Sequence, residues 1–497
     1  MKRVSLAALV AFAAIAQTPT ITQQIAARLT ANDLKADVSF LASDALEGRG
    51  TPSRGLEIAA EFIASQFRRA GLDPAGDDGY FQTAPYASVA PNLDGLDLTL
   101  EIGGKTLHAD KASIGPQEAA ALDLKQGGAW KVDSNDPAAL DALTPEQVKG
   151  KVLVVDMSAG GPQGRGNPAF AAMRRLAPAA VKLQPALLLL IRPNGQGVSA
   201  NSRLREMSAA APSVPILAVW DPAFRSALGE AKPGELDAKI SAHIAAPTAT
   251  PVKLRNVVGV LRGSDAALKD TYVLITGHYD HLGMRGTGEG DHIFNGANDD
   301  ASGTSSVIEI AHTLASLPAH PKRSIVFIAL FGEELGLFGS RYYAQHPIFP
   351  LAKTVADINL EQLGRTDVDG GTHVGIVNVT GYDFTSLTEE FKRAGNAFDI
   401  QVQKDEKNSD PFFARSDNQA FADAGVPAHT LSVGYVFPDY HQVGDEWPKI
   451  DYENMAKVAR TVALAILDVA DNPIAPSWNA SNPKTERYVK AHEALVK

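Results

Sequence analysis

The chain has 497 residues, 45% of them apolar and 21% charged, with no cysteine and a formal net charge of −11. Such a length exceeds one ordinary core, so two domains are expected, and the balance of apolar and charged residues excludes a mainly disordered chain. Lacking cysteine, the chain has no disulfide, thiolate metal site or lipid-modified cysteine, and an acidic surplus without Lys/Arg-rich runs argues against a nucleic-acid partner.

Lys2 and Arg3 precede a mostly apolar run from Val4 to Ile15, and Ala14-Ile15-Ala16 suits a signal peptidase. Residues 1–16 are therefore expected to be an export signal, with the mature protein periplasmic or secreted; an uncleaved anchor is the alternative. No later run reaches the roughly 18 apolar residues of a membrane span, so no stable insertion is expected after signal removal.

Further along, residues 55–71 (GLEIAAEFIASQFRRAG) place Ile58, Phe62, Ile63 and Phe67 on one helical face, stopped by Gly71 and Pro74. From Pro91 to about Ala246 short strand-like runs, 151–156 and 186–191 among them, mix with Gly/Pro-rich turns. The AAPTATP stretch, 245–251, reads as a linker. Beyond Val252, β-branched or apolar runs at 271–276, 324–331, 355–360 and 428–433 alternate with helical patterns at 302–317, 383–394 and 452–469. That alternation predicts an α/β fold, a mixed and mostly parallel sheet flanked by helices, whose ligands sit beyond the carboxyl ends of the strands. The sequence has no internal repeat.

Polar residues with chemical potential recur at those strand ends. GHYDH (277–281) follows the first run; His278 suits a zinc ligand whose tautomer Asp280 fixes. GANDDASG (296–303) leads into a helix. One Asp there is explained as a helix cap, but two carboxylates among small residues also suit a bridge between two cations. FGEELG (331–336) ends an apolar strand with adjacent glutamates, which either sit on a solvated tip or divide metal ligation and proton transfer between them. Glu361 lies in NLEQLG after the next run, and Asp439-Tyr440-His441 precedes the last long helix. Each alone has a plain structural reading, and their recurrence on successive strand ends is what points to a site. Two divalent ions can share one carboxylate, activate a bridging hydroxide and polarise a carbonyl, and nitrogen and oxygen donors without sulfur favour zinc.

GHYDHLG, GANDDASG, FGEELGLFGS, NLEQLG and DYHQVGD, in that order across 252–470, resemble the blocks of M28 family co-catalytic zinc metallopeptidases. The segment LASDALEGRGTPSRGLEIAAEFIASQFRRAGL (41–72) also resembles the part that precedes an insertion in many members. The resemblance implies two zinc ions per chain in a zinc-exopeptidase-like fold. His278 and Glu361 would hold one ion, His441 and Glu334 the other, and Asp299 would bridge both. Glu333 would be the general base, Asp280 would orient His278, and Tyr440 would help stabilise the tetrahedral intermediate. Arg415, in FARSD (413–417), is a candidate for substrate contact, with an ordinary surface or ion-pair role as the alternative. A cis peptide between Asp299 and Asp300 is implied as well. Many members carry Asp where this chain has Glu361. Residues 91–250 resemble, more loosely, an inserted β-rich protease-associated (PA) domain that shapes access to the site; a generic insertion is the alternative. The implied organisation is a signal over 1–16, a catalytic domain over 17–90 and 251–475, the insertion over 91–250, and a C-terminal tail over 476–497.

The expected function is removal of N-terminal amino acids from peptides or proteins with a free N-terminus. A carboxypeptidase of the same family is the runner-up, and a binding or receptor-like relative without catalysis is the alternative class. A serine hydrolase lacks support because no G-x-S-x-G elbow occurs.

Overall fold

The computed structural model describes residues 19–118, 120–133, 137–157, 182–193, 202–209, 214–368 and 371–497. The expected export signal lies outside them. The chain divides after Ala84 and again after Lys253: the segment ending at Ala84 joins Leu254–Lys497 in one unit, and Pro85–Lys253 forms the other.

In the first unit the four expected apolar runs are strands: Tyr272–His278, Ser324–Leu330, Thr354–Leu360 and Ala428–Ser432. They are buried almost throughout, as strands covered on both faces must be. Tyr272–His278 pairs parallel with both Ser324–Leu330 and Thr354–Leu360, and Thr354–Leu360 pairs parallel with Ala428–Ser432. The flanks reverse direction. Val257–Leu261 runs antiparallel to Ser324–Leu330, and Ile376–Val379 antiparallel to Ala428–Ser432. The sheet is therefore mixed and mostly parallel, as expected. Two of its outer strands, Ile376–Val379 and Gln401–Gln403, are too short to register as periodic runs.

Helices supply the covering layers. Ser302–Ala315 is buried around nearly its whole circumference, its first turns through small Ser, Gly and Thr residues, and Tyr452–Asp471 is started by the Asp451 carboxylate accepting the Asn454 N–H. The helix expected over 55–71 spans Arg54–Ala70, capped by the Ser53 side chain and closed by Gly71 at φ 79°. Its buried face differs from the expected one. Leu56, Ala59, Ala60, Ile63 and Phe67 face the core, whereas Ile58 lies off that stripe and is exposed. Small alanines continue the 3.6-residue period where bulk alone had suggested Ile58. The helix expected over 383–394 begins later, at Leu387, because Gly381 (φ 55°) starts a turn and the Thr385 hydroxyl accepts the Leu387 N–H.

Two segments depart from expectation more widely. AAPTATP, read as a linker, is extended: it lies within a continuous strand, Gly234–Leu261, where Thr and Pro favour extended backbone. Residues 476–497, expected as a C-terminal tail, carry secondary structure. They include a helix, Glu486–Leu495, whose Tyr488 is buried and stacks on Trp478 with ring centroids 4.9 Å apart. Both rings join the cluster containing Phe413 and Phe421. Burying an aromatic side chain there contributes roughly 2–3 kcal/mol.

The second unit is β-rich. Strands Leu122–Asp133, Val152–Asp156, Leu187–Ile191 and Ile216–Val219 lie side by side in parallel. Alternate residues serve two faces: Val152, Val154, Leu187 and Leu189 enter one core cluster, and Leu153, Val155, Leu188 and Leu190 another. Among the described residues no helix is long and apolar enough to cross a membrane.

Candidate metal centre

The parallel register aligns four of the expected residues. His278 sits opposite Leu330, so Glu333 and Glu334 follow immediately beyond that level. Thr276 sits opposite Asn359, which puts Glu361 level with His278 two residues on. The Asp pair arrives on a tight turn, Ala297–Ala301, entered through Gly296 at φ 59°, and the Asp299–Asp300 peptide is cis as the resemblance implied. Gly303 lets the turn approach the sheet: a Cβ there would lie 2.4 Å from the Asp300 carboxylate oxygens and from the Leu360 carbonyl oxygen.

The two Asp299 oxygens face different partners. Oδ1 lies 3.3 Å from His278 Nε2, and Oδ2 lies 3.1 Å from His441 Nε2. His441 Nε2 is also 3.4 Å from Glu334 Oε1, and Glu333 Oε2 is 4.0 Å from His278 Nε2. Two sets of donor atoms converge closely enough to hold a cation, His278 with Asp299 and Glu361, and His281 with Asp299 and Glu334. His278 Nε2, both ring nitrogens of His281 and Glu334 Oε1 are buried without a hydrogen-bond partner. Buried polar atoms are normally paired, so aligned lone pairs left bare in this way fit a pair of bound cations sharing Asp299.

The electrostatics agree. Burial opposes charge on His278, but the Asp280 and Asp299 carboxylates, with Asp300 and Glu333 nearby, drive its pKa well above the usual imidazole value. Burial likewise disfavours charge on His441, yet Asp299 and Glu334 raise it to about 9. Against burial, the facing imidazoles hold Asp299 far below the carboxylate range and Glu334 at about 2. Glu333 goes the other way: burial, then the charges of Glu361 and Glu334, push it well above the ordinary value in spite of His278. The carboxylates thus demand positive charge, which protons on the imidazoles supply when no metal does.

Of the expected residues, His278, Asp299, Glu333, Glu334, Glu361 and His441 come together. Asp300 serves structure. Its Oδ1 accepts the N–H groups of Gly303 and Gln362 at 3.0 and 3.1 Å, capping the helix and fixing the turn after Glu361. Asp280 reaches His278 Nδ1 through its carbonyl oxygen at 3.2 Å more closely than through its carboxylate at 3.6 Å. That carboxylate also accepts the Glu333 N–H at 3.0 Å and the Thr51 hydroxyl at 3.1 Å. Tyr440 stacks on His441 with centroids 4.0 Å apart, and burial with the nearby carboxylates keeps its hydroxyl protonated. Arg415 lies over the Phe412 ring at 3.9 Å, and its charge is felt at Tyr440.

Three participants were not singled out from sequence. His281 is the second histidine of GHYDHLG. Arg49, from LEGRG, is wholly buried and donates to the carbonyls of Tyr279 (2.8 Å), Asn295 (2.7 Å), Gly296 (3.0 Å) and Leu41, tying two site loops together. Asp445, from HQVGD, accepts the N–H groups of Asn298 and Asp299 at 2.9 and 3.0 Å. A charged residue held between two glycines, Gly48 and Gly50, was the available signal for Arg49.

Residues 256–466 match the sequence profile of peptidase family M28. A probable zinc metalloprotease of Pyrenophora teres f. teres (strain 0-1) is 31% identical over 245 residues, covering 46% of this chain and 51% of that protein. Aminopeptidase YwaD of Bacillus subtilis (strain 168) is 27% identical over 223 residues, covering 43% of this chain and 44% of that protein. The chain thus spans about half the length of these curated relatives. Among solved structures, an aminopeptidase from Aneurinibacillus sp. strain AM-1 shares the fold with a TM-score of 0.56 at 19% identity, over 91% of this chain and 98% of that one.

Proposed function

The chain carries a peptidase family M28 domain, and from that premise we propose that it is a dizinc exopeptidase removing N-terminal amino acids from peptides. The observation that carries this reading is the shared Asp299, with one oxygen toward His278 and the other toward His441. His278 and Glu361 would hold one ion, and Glu334 and His441 the other, with Asp299 common to both. Bound there, the ions would lower the pKa of water and polarise the scissile carbonyl.

The remaining chemistry falls to this chain's own groups. Glu333 accepts the proton of the attacking water and returns it to the leaving amine as the C–N bond breaks; a carboxyl raised above its ordinary value by burial holds that proton between the two transfers. Asp280 fixes the Glu333 backbone and the His278 ring together. The Tyr440 hydroxyl, kept protonated, donates to the oxyanion of the tetrahedral intermediate. Arg415, whose charge reaches Tyr440, would contact the substrate chain. The crowded carboxylates favour a substrate's ammonium group over its carboxylate, which supports amino- over carboxypeptidase action.

Export through residues 1–16 and a protease-associated role for the β-rich unit belong to the same reading. N-terminal sequencing of the mature protein tests the first. The activity is tested with amino-acid p-nitroanilides beside N-blocked and C-terminal substrates, with and without a chelator. Hydrolysis restricted to free N-termini and abolished by the chelator is expected, and cleavage of blocked substrates at equal rates would overturn it.

A further inference from the structure

The geometry points to His281 as a further protein ligand of the ion held by Glu334 and His441, an assignment that rests on the dinuclear reading above. The bonding between His281 and Glu334 is the starting observation. His281 Nδ1 lies only 2.8 Å from Glu334 Oε1, yet both atoms are buried and without a hydrogen-bond partner, because the contact lacks hydrogen-bond alignment. Two electron-rich atoms held this close without a proton aimed between them are arranged to share a cation. Ligand atoms around one zinc ion lie about 3 Å apart, as bond lengths near 2.0–2.1 Å at tetrahedral or wider coordination require. The contacts among His281, His441, Glu334 and Asp299 (2.8, 3.1, 3.4 and 4.0 Å) bracket that spacing.

The protein holds His281 in this position from several sides. Its backbone N–H donates to the Arg49 carbonyl at 3.2 Å, and its ring lies edge-on to His441 with centroids 5.8 Å apart. The ring also packs against Gly296, where a Cβ would come within 2.5 Å of it, so glycine at that position makes room for the imidazole. Nothing about this packing requires a basic ring; an apolar side chain would fill the space without leaving two nitrogens bare.

The consequence is an asymmetric centre. His281, His441, Glu334 and Asp299 give one ion four protein donors, the number that closes a zinc site. His278, Glu361 and Asp299 give the other only three, and this open side is where Glu333 stands, 4.0 Å from His278 Nε2. The first ion is then the more tightly held, and exchangeable coordination is concentrated beside the general base.

The test begins with metal-free protein titrated with zinc against a chromophoric chelator, and with cobalt read by its visible absorption. His281→Ala and His281→Gln are compared with wild type after thermal melts of the metal-free proteins establish that they fold. Wild type should take up two ions per chain. Each variant should keep one with little change and bind the other at least about 100-fold more weakly, since even outer partners of a metal contribute 10–100-fold. Loss of a nitrogen donor should also alter the cobalt spectrum of the weakened site, read at cobalt concentrations that fill it. Unchanged affinity, or weakened affinity with an unchanged cobalt spectrum, overturns the assignment while leaving two ions in place. Fewer than two ions on wild type would sink the dinuclear reading and this assignment with it. Should neither variant fold, a zinc-edge diffraction map of the wild type decides: the ion within bonding distance of Nδ1 supports the assignment, and Nδ1 beyond about 3 Å refutes it.

Discussion

Two groups of acids are buried in the unit that contains the candidate metal centre, and they resolve the same electrostatic problem differently. At the metal centre, Asp299 and Glu334 stay below the ordinary carboxylate range because imidazoles face them. On the helices Ala31–Leu41 and Ser302–Ala315, Asp37 and Glu309 also meet out of water, at 7% and 3% exposure. There burial, reinforced by Glu309, raises Asp37 to about 8, and burial with the charge of Asp33 raises Glu309 to about 7. That pair answers with a proton where the metal centre calls for a cation. Burial of acids therefore does not by itself mark a site; what separates the two is whether lone pairs from different strands converge on one point.

The largest effect should come from removing the shared ligand. Asp299→Ala is expected to lower peptidase activity at least about 1000-fold and to empty both metal positions, because each ion loses a donor. Two tightly held zincs in that variant, counted by elemental analysis, would contradict the bridge. Glu333→Gln should reduce turnover by about 10²–10⁴-fold while metal content stays at the wild-type level, the signature of proton transfer without ligation. Near-normal turnover would take Glu333 out of that role.

Arg49→Met should act on structure. It strands the carbonyls of Tyr279, Asn295 and Gly296, each costing about 1–3 kcal/mol when left unpaired. A melting temperature lowered by at least about 5 °C is expected, with weaker zinc uptake, and a melt within a degree of wild type would deny Arg49 this role. The smallest change should come from the second acid group. A carboxyl whose pKa is 3.8 unfolded and about 8 folded binds more protons in the native state, so stability is lost as pH rises between those values. Asp37→Asn should flatten the fall in melting temperature between pH 5 and 8, raising it at pH 8 by roughly 2–4 °C, without altering peptidase activity. A variant with an undiminished pH slope would remove Asp37–Glu309 as its source.

Much of the fold was legible because its signals are local. Short apolar and β-branched runs at 272–278, 324–330, 354–360 and 428–432 declare buried strands, and the polar residues just after them mark the end where ligands bind. Where the reading failed, a local signal pointed the wrong way or none existed. AAPTATP has the composition of a linker, yet proline and threonine are also compatible with an extended strand. Ile58 is bulky but lies off the buried stripe, and the helix Glu486–Leu495 gains its place from Tyr488 packing against distant aromatics.

The site divides along the same line. Sequence alone determined which donor chemistries stand at the strand ends, since residue type and spacing along one strand or helix are properties of the chain itself. Only the tertiary structure decided that Asp299 faces both histidines while Asp300 caps a helix, that Arg49 ties loops 230 to 247 residues away, and that His281 stands against Glu334. Those outcomes depend on distances between atoms remote in sequence, which packing sets and no periodicity encodes.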